Sequence, residues 1–382
     1  MSRPKTTSGF IDAHSHLRST NVTEQLVAGS SSLEEALLRM SAMSAVDEAD
    51  ETLLACADLL RAGVTGVQTV FHTFGSPQEY LESLSKVLDG IERSGIRALV
   101  ILGLTDQAEF IPTELESQSL LPPWLPPKRK MAPEQFAEVY TTAKKLHPTI
   151  RFGIAPVGPQ WCSVSLLGII RELAEDGARI HSHLLESKAQ RNWIGENPLT
   201  RLSAAGLLGP KTSLAHGVWC DAEDLKTISD AGAQIVTCPG SNATLGAGKA
   251  DLALWEKQGV KFGFGLDSCA DDVLPFKIAR EAMSDEVALR ALTEGGRSCT
   301  DLPTDQDLVE WEDFDAGIPK RVTVGEKVLF DGKLLHNQAE VDASRARAAE
   351  AMQADRANRV NRKATIDALL PNYLKAIQQC CG

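Results

Sequence analysis

No stretch of this 382-residue chain carries the ~18–20 consecutive apolar residues that a bilayer-spanning helix requires, which argues against a helical membrane protein. The opening "MSRPKTTSGF" has no apolar core of the secretory type. Excess positive charge is lacking as well. Asp and Glu outnumber Lys and Arg 51 to 39, for a net charge of -12. A partner with a phosphate backbone or an anionic membrane surface is therefore disfavoured. The eight cysteines, Cys56, Cys162, Cys220, Cys238, Cys269, Cys299, Cys380 and Cys381, include no CxxC pair and no close-set framework. That scatter predicts reduced thiols and a cytoplasmic protein. No solenoid-type repeat is present. What remains is a mixed-charge, ordinarily apolar globular chain, long enough for one large barrel or two medium domains.

Short apolar runs recur along it, each followed by a helical pattern. They fall at 9–16, 63–72, 96–106, 151–158, 179–184, 212–218, 232–239 and 260–268. Intervening segments such as "SLEEALLRMSAMSAVDEADETLLACADLLRA" and "SVSLLGIIRELAEDGA" carry helical periodicity. Eight strand–helix alternations predict an α/β fold, a parallel (β/α)8 TIM barrel over residues 1–300, with a doubly wound sheet as the alternative. The proline-rich stretch 107–131, containing "LLPPWLPPKRK", follows the third strand and fits either a lid over the site or a surface excursion. Residues 301–340 read as a β-hairpin, "RVTVGEKVLFDGKLL", with its turn at the Asp-Gly pair. Residues 341–382 read as helical with a break near Pro371, packing on the barrel flank or on a second copy in a homo-oligomer.

His14 and His16 are two apart on the first strand, so both point to one face. Alone, that pair fits a core or surface role equally well. His181, His183, His216 and Asp267 also stand at the C-terminal ends of predicted strands, where such barrels assemble their active sites. Imidazoles and a carboxylate gathered at one rim form a donor set suited to zinc or iron.

"GFIDAHSHL", "HSHLLES", "LAHGVW" and "GLDS", in that order, resemble the amidohydrolase superfamily, and within it the branch of nucleobase deaminases and triazine hydrolases. The resemblance implies metal ligands at His14, His16, His183 and Asp267, the Leu-x-Glu after the fifth strand selecting His183 over His181. It implies Glu186, His216 and Asp267 as catalytic groups. Binuclear relatives bridge two metals with a lysine at the end of strand 3 or 4. No lysine lies in "IRALVILGLTD" or "RFGIAPVGPQWC", so one divalent ion per chain is expected, zinc first, with iron or manganese as alternatives. Members of the branch usually carry an N-terminal β-segment that forms a sandwich with a C-terminal one. This chain reaches its histidine pair at residue 14, so the N-terminal half is expected to be missing and the 301–340 hairpin to be the remnant of the other half.

The implied chemistry is hydrolysis of a small-molecule substrate. A metal-held water attacks an sp2 carbon of a nitrogen heterocycle or amidine and releases ammonia or an amine. Asp267 takes the water's proton, His216 orients the water, and Glu186 protonates the ring nitrogen and then the leaving group. Hydrolysis of a cyclic amide, ureido group or other C–N bond is the alternative, favoured by Arg18 in "HSHLR". An inactive metal-binding scaffold is the alternative of another class. Arg18, Gln160, Trp161 and His72 are the candidate substrate-binding residues. Arg18 would hold an anionic or carbonyl group or close a local salt bridge, Gln160 would read a heterocycle edge, and Trp161 would stack on its face. His181 is expected to orient a ligand from behind. Asn242, in "PGSN", is expected to stabilise its own turn.

Overall fold

The computed structural model describes residues 4–18, 29–112, 115, 121–125, 131–267 and 273–381. Cys269 and much of the stretch 113–130 lie outside the described residues, as does Ser268 at the end of the predicted eighth strand.

A short strand β1 (Thr6–Ser8) leads into β2 (Phe10–Ser15), the first strand of an eight-stranded parallel sheet. The others are β3 (Val64–Phe71), β4 (Arg97–Leu104), β5 (Arg151–Pro156), β6 (Ile180–Leu184), β7 (Thr212–His216), β8 (Gln234–Thr237) and β9 (Lys261–Phe264), paired in sequence order. All eight predicted strands are present. The first and last meet just past β9, where Asp267 N donates to His14 O (2.8 Å) and Ser15 bridges Asp267 in parallel. The sheet is thus a (β/α)8 barrel. Its strands read as near-continuous apolar runs because helices cover the outer face and side chains fill the inner one. In β4, "RALVILGL", every residue after the arginine is buried.

Local chemistry accounts for the helices between strands. Helix α3 (Pro77–Ser94) starts on a capping box, Ser76 with Glu79, has proline in its first turn, and ends on Gly95 at φ 77°. The long helical pattern before the second strand divides into α1 (Leu33–Met40) and α2 (Glu48–Arg61), because Asp47 caps a new helix by accepting from Ala49 N.

Three elements differ from the sequence reading. A four-stranded antiparallel sheet, ordered β1-β10-β11-β12, lies beside the barrel, with β10 (Leu308–Asp313), β11 (Ile318–Val324) and β12 (Lys327–Phe330). The N-terminal contribution expected to be missing is thus present as the three residues of β1, paired with β10. The hairpin turn falls at Gly325, not at the Asp-Gly pair; Asp331 instead caps the next turn by accepting from Lys333 N and Leu334 N. Finally, the C-terminal helix (Arg356–Cys381) runs through Pro371, and the break lies at Asp355. A proline costs a helix one hydrogen bond, but Ile366 and Leu369 before it and Tyr373 and Ala376 after it are all buried in one cluster, so packing holds the helix across it.

An aromatic pair and a forked ion pair are among the contacts that tie the small sheet to the barrel. Trp311 of β10 packs against Phe10 with ring centroids 5.2 Å apart, over Gly63, where a Cβ would stand 2.6 Å from the indole. Arg97, opening β4, makes a forked pair with fully buried Asp307, from Nε to Oδ2 (3.0 Å) and from Nη2 to Oδ1 (2.9 Å).

Candidate metal centre and substrate cavity

The C-terminal ends of β2, β6, β7 and the segment after β9 converge on one point. His14 is fully buried and His16 partly so, with ring centroids 5.2 Å apart. His16 Nε2 stands 3.2 Å from His183 Nε2. Asp267 Oδ1 lies 3.5 Å from His16 Nε2 and 3.7 Å from His14 Nε2. Donor atoms of His14, His16 and Asp267 lie within 4.8 Å of one another, and so do those of His14, His183 and His216 and those of Glu186, His216 and Asp267. Bringing them together bends the backbone. Leu17, Leu185, His216 and Asp267 all have positive φ, between 45° and 72°, a conformation rare outside glycine. These strained positions sit at the rim where the strands end, as functional sites commonly show.

Hydrogen bonds behind the donors fix which atom each presents. His183 Nδ1 lies 2.7 Å from Val157 O, so its proton is held there and Nε2 keeps a lone pair. His216 Nδ1 lies 2.9 Å from Asn242 Oδ1, leaving Nε2 without a partner and facing Glu186 Oε2 at 3.6 Å. Ser241 Oγ donates to Asp267 Oδ2 (2.6 Å). Asn242 thus does more than hold its turn: Ser241 and Asn242 orient one site group each. His181 lies below His14, its Nε2 2.8 Å from His14 Nδ1 and its own Nδ1 2.7 Å from Ser213 Oγ. His14 Nε2, on the other side of its ring, has no hydrogen-bond partner and faces the centre.

Burial, and then the neighbouring imidazoles, push His14, His16 and His183 well below the ordinary histidine range. They are neutral at pH 7, the form that ligates metal. His16 Nε2 faces the lone pair of His183 Nε2 at 3.2 Å with the Asp267 carboxylate beside them, an arrangement that a cation among the three would satisfy. The donor set fits a divalent ion of the zinc type.

A cavity of about 310 Å3 opens above this point, with His16, His183, Glu186 and Asp267 at its base. Burial pushes the Glu186 carboxyl up to about 7, with the Asp267 and Glu34 charges adding and His216 opposing. Of the candidate substrate residues, Arg18, His72 and Trp161 line the cavity. Gln160 is not among the lining residues: it is buried in the turn beside Trp161 with neither amide atom partnered. The 107–131 stretch contributes Glu109, Phe110, Trp124 and Leu125 to the wall, which favours the lid over the surface excursion. Glu109, buried and 3.7 Å from His72 Nε2, was not singled out from sequence, nor were Leu37, Met40 and Met43 from α1 and the turn after it. The signal for them is slight: "LLRMSAM" is an apolar stripe in a segment that had every reason to be core.

The fold resembles solved structures. An atrazine chlorohydrolase from Arthrobacter aurescens, complexed with zinc, superposes with TM-score 0.72 at 18% identity, over 91% of this chain and 88% of that one. At that identity the likeness is one of fold. Residues 6–306 match the amidohydrolase family, and the chain belongs to that family. Among curated relatives, a 5-methylthioadenosine/S-adenosylhomocysteine deaminase of Archaeoglobus fulgidus is 26% identical over 226 residues, 58% of this chain and 48% of that protein. A 5'-deoxyadenosine deaminase of Methanosarcina barkeri is 28% identical over 237 residues, 60% of this chain and 49% of that protein. The chain thus spans about half the length of the curated relatives it matches.

Proposed function

We propose that this chain is a mononuclear metal aminohydrolase, zinc the first choice of ion, that deaminates a nitrogen heterocycle bearing an apolar substituent. His14, His16, His183 and Asp267 would hold the ion. When bound, it supplies the Lewis acidity that makes water a nucleophile at neutral pH. Glu186 carries the protein's part of the chemistry. A buried carboxyl pushed up to about 7 holds a proton at working pH and can release it, as an acid that protonates a ring nitrogen and then the departing amine must do. His216 Nε2, facing Glu186 across 3.6 Å, is placed to steady charge at the attacked carbon. That pairing over the cavity is the observation that carries the proposal.

The cavity supports the substrate class. Leu37, Met40, Phe74, Phe110 and Leu245 make much of its wall apolar, with Trp161 offering a ring face. Methylthioadenosine and deoxyadenosine, named in the relatives, are heterocycles carrying a sugar that ends in an apolar 5' group. Free ammonia released from 5'-methylthioadenosine, 5'-deoxyadenosine, adenosine, guanine and a triazine is the test, with about one metal per chain by elemental analysis. Hydrolysis without ammonia would favour the second reading, a cyclic amide or ureido substrate held by Arg18 on the cavity wall. Two metals per chain would contradict the mononuclear centre.

No described helix is long and apolar enough to cross a membrane. Five described cysteines are free, four of them buried, which supports a reducing compartment and the cytoplasmic placement proposed.

A further inference from the structure

The cavity's outer wall is not built on the barrel core. It belongs to a separate buried cluster that joins α1, the described part of the 107–131 stretch, the turn at Leu245 and the C-terminal helix. Leu37, Met40, Met43 and Phe110 face the cavity, and the C-terminal helix is fastened to the same segments. Arg362 donates from Nε to Ala42 O and from Nη2 to Met43 O, both at 3.1 Å. Arg39 of α1 donates to Asp367 (2.8 Å). Fully buried Tyr373 places its one hydroxyl proton between two main-chain carbonyls, Phe110 O at 2.6 Å and Glu34 O at 3.2 Å. Those carbonyls come from the two cavity-lining segments, which are 76 residues apart in sequence by their numbers, 110 and 34. Phe110 has φ 42°, a left-handed backbone that a phenylalanine holds only under constraint. The helix also lies beside the short turn Ala189–Arg191, three residues past Glu186.

We propose that the C-terminal helix is a structural strap of the substrate site and that Tyr373 is its positioning residue, joining Phe110 to α1 so that the apolar wall stands closed over the metal centre. The proposal rests on the reading of this cavity as the substrate site. Tyr373 touches neither substrate nor metal in this account. It acts by holding the two segments to each other, so its loss should weaken substrate binding more than chemistry.

Tyr373→Phe keeps the ring in its apolar seat and removes only the hydroxyl. On the zinc-loaded protein, amide hydrogen exchange should quicken at least fivefold in residues 109–112 and 33–37, while β2 to β9 exchange as before. With 5'-methylthioadenosine, KM should rise about fivefold or more while kcat stays within twofold, a split that general loss of stability would not produce. Unchanged exchange at both segments would overturn the proposal. So would a fall in kcat with KM unmoved, which would place Tyr373 in the chemistry instead. If the wild-type protein turns over none of the heterocycles, the deaminase reading fails, and the exchange result still decides the role of Tyr373.

Discussion

Replacing Glu186 by glutamine should make the metal-free protein more stable at pH 8 and the metal-loaded protein a far slower catalyst. The argument is one of linkage. Burial holds the Glu186 carboxyl at about 7 in the folded protein, against an ordinary value of 4.5. The folded state therefore binds more protons than the unfolded one across that window. Stability falls as pH rises from about 4.5 to about 7 and levels off above it. A span of about 2.5 pH units at ~1.36 kcal/mol each gives about 3 kcal/mol as the full cost of the ionised carboxylate at pH 8, and relaxation of the site brings the expected gain to about 1–3 kcal/mol. Glutamine has nearly the same shape and does not titrate, so that cost disappears. Urea unfolding of chelator-treated wild type and Glu186→Gln at pH 5 and pH 8 reads the difference directly. The gap should be small at pH 5 and should open at pH 8. With metal restored, the same variant should retain one ion and lose about 10²–10⁴-fold in kcat, the usual weight of a general acid. A variant no more stable at pH 8 than wild type, or a gap equal at both pH values, would refute the claim that the site strains to keep this carboxyl.

Three further outcomes follow from the same geometry. His183→Ala should lose metal by elemental analysis, whereas His181→Ala, removing only the group behind His14, should weaken affinity; if His181→Ala alone empties the site, the two histidines have exchanged roles. Ser241→Ala deletes the hydroxyl that donates to Asp267 Oδ2 and should weaken zinc binding about 10–100-fold in a competitive chelator titration, with the fold unchanged by circular dichroism. Asp307→Ala leaves the half-buried Arg97 guanidinium without its forked partner and Gly325 N without its acceptor, at a cost of about 3–5 kcal/mol in urea unfolding; a loss below about 1 kcal/mol would mean the small sheet is not anchored there.

The barrel was legible because its signal is repeated. Eight apolar runs of strand length, each followed by an amphipathic stretch, leave few other folds, and all eight runs became strands. The donor histidines were legible for the same reason: a residue's distance from the start of a parallel strand sets its height in the barrel, so strand ends could be aligned before any contact was known. What failed were features decided by tertiary contact. Pro371 reads as a break, and only the burial of Ile366, Leu369, Tyr373 and Ala376 in one cluster keeps the helix whole. Gln160 reads as a substrate ligand because it follows a strand end, but the turn at Pro159 folds it inward and leaves Trp161 at the cavity. β10 was missed because "LVEWED" buries only Val309 and Trp311, too few alternations to stand out.

Glu109 sharpens the contrast between chemistry and selection. The groups proposed to react all come from strand ends or the two or three residues just past them, whose positions the barrel dictates. The groups that would choose a substrate come from α1, the stretch after β4 and the C-terminal helix, where nothing in a strand pattern sets their register. A family sharing one barrel can therefore keep its hydrolytic centre while its walls diverge, and an identity of 26–28% over 58–60% of the chain says little about the wall. Among the described residues that wall is apolar except for Arg18, Ser41 and the Glu109–His72 pair. Glu109→Gln keeps the size and removes the charge. If the carboxylate receives a hydroxyl or amino group of the substrate's arm, KM for 5'-deoxyadenosine should rise about 5–20-fold and that for free adenine should not move. Equal losses on both substrates would assign Glu109 to holding His72 and Thr105 in place, and would leave selection to the apolar wall alone.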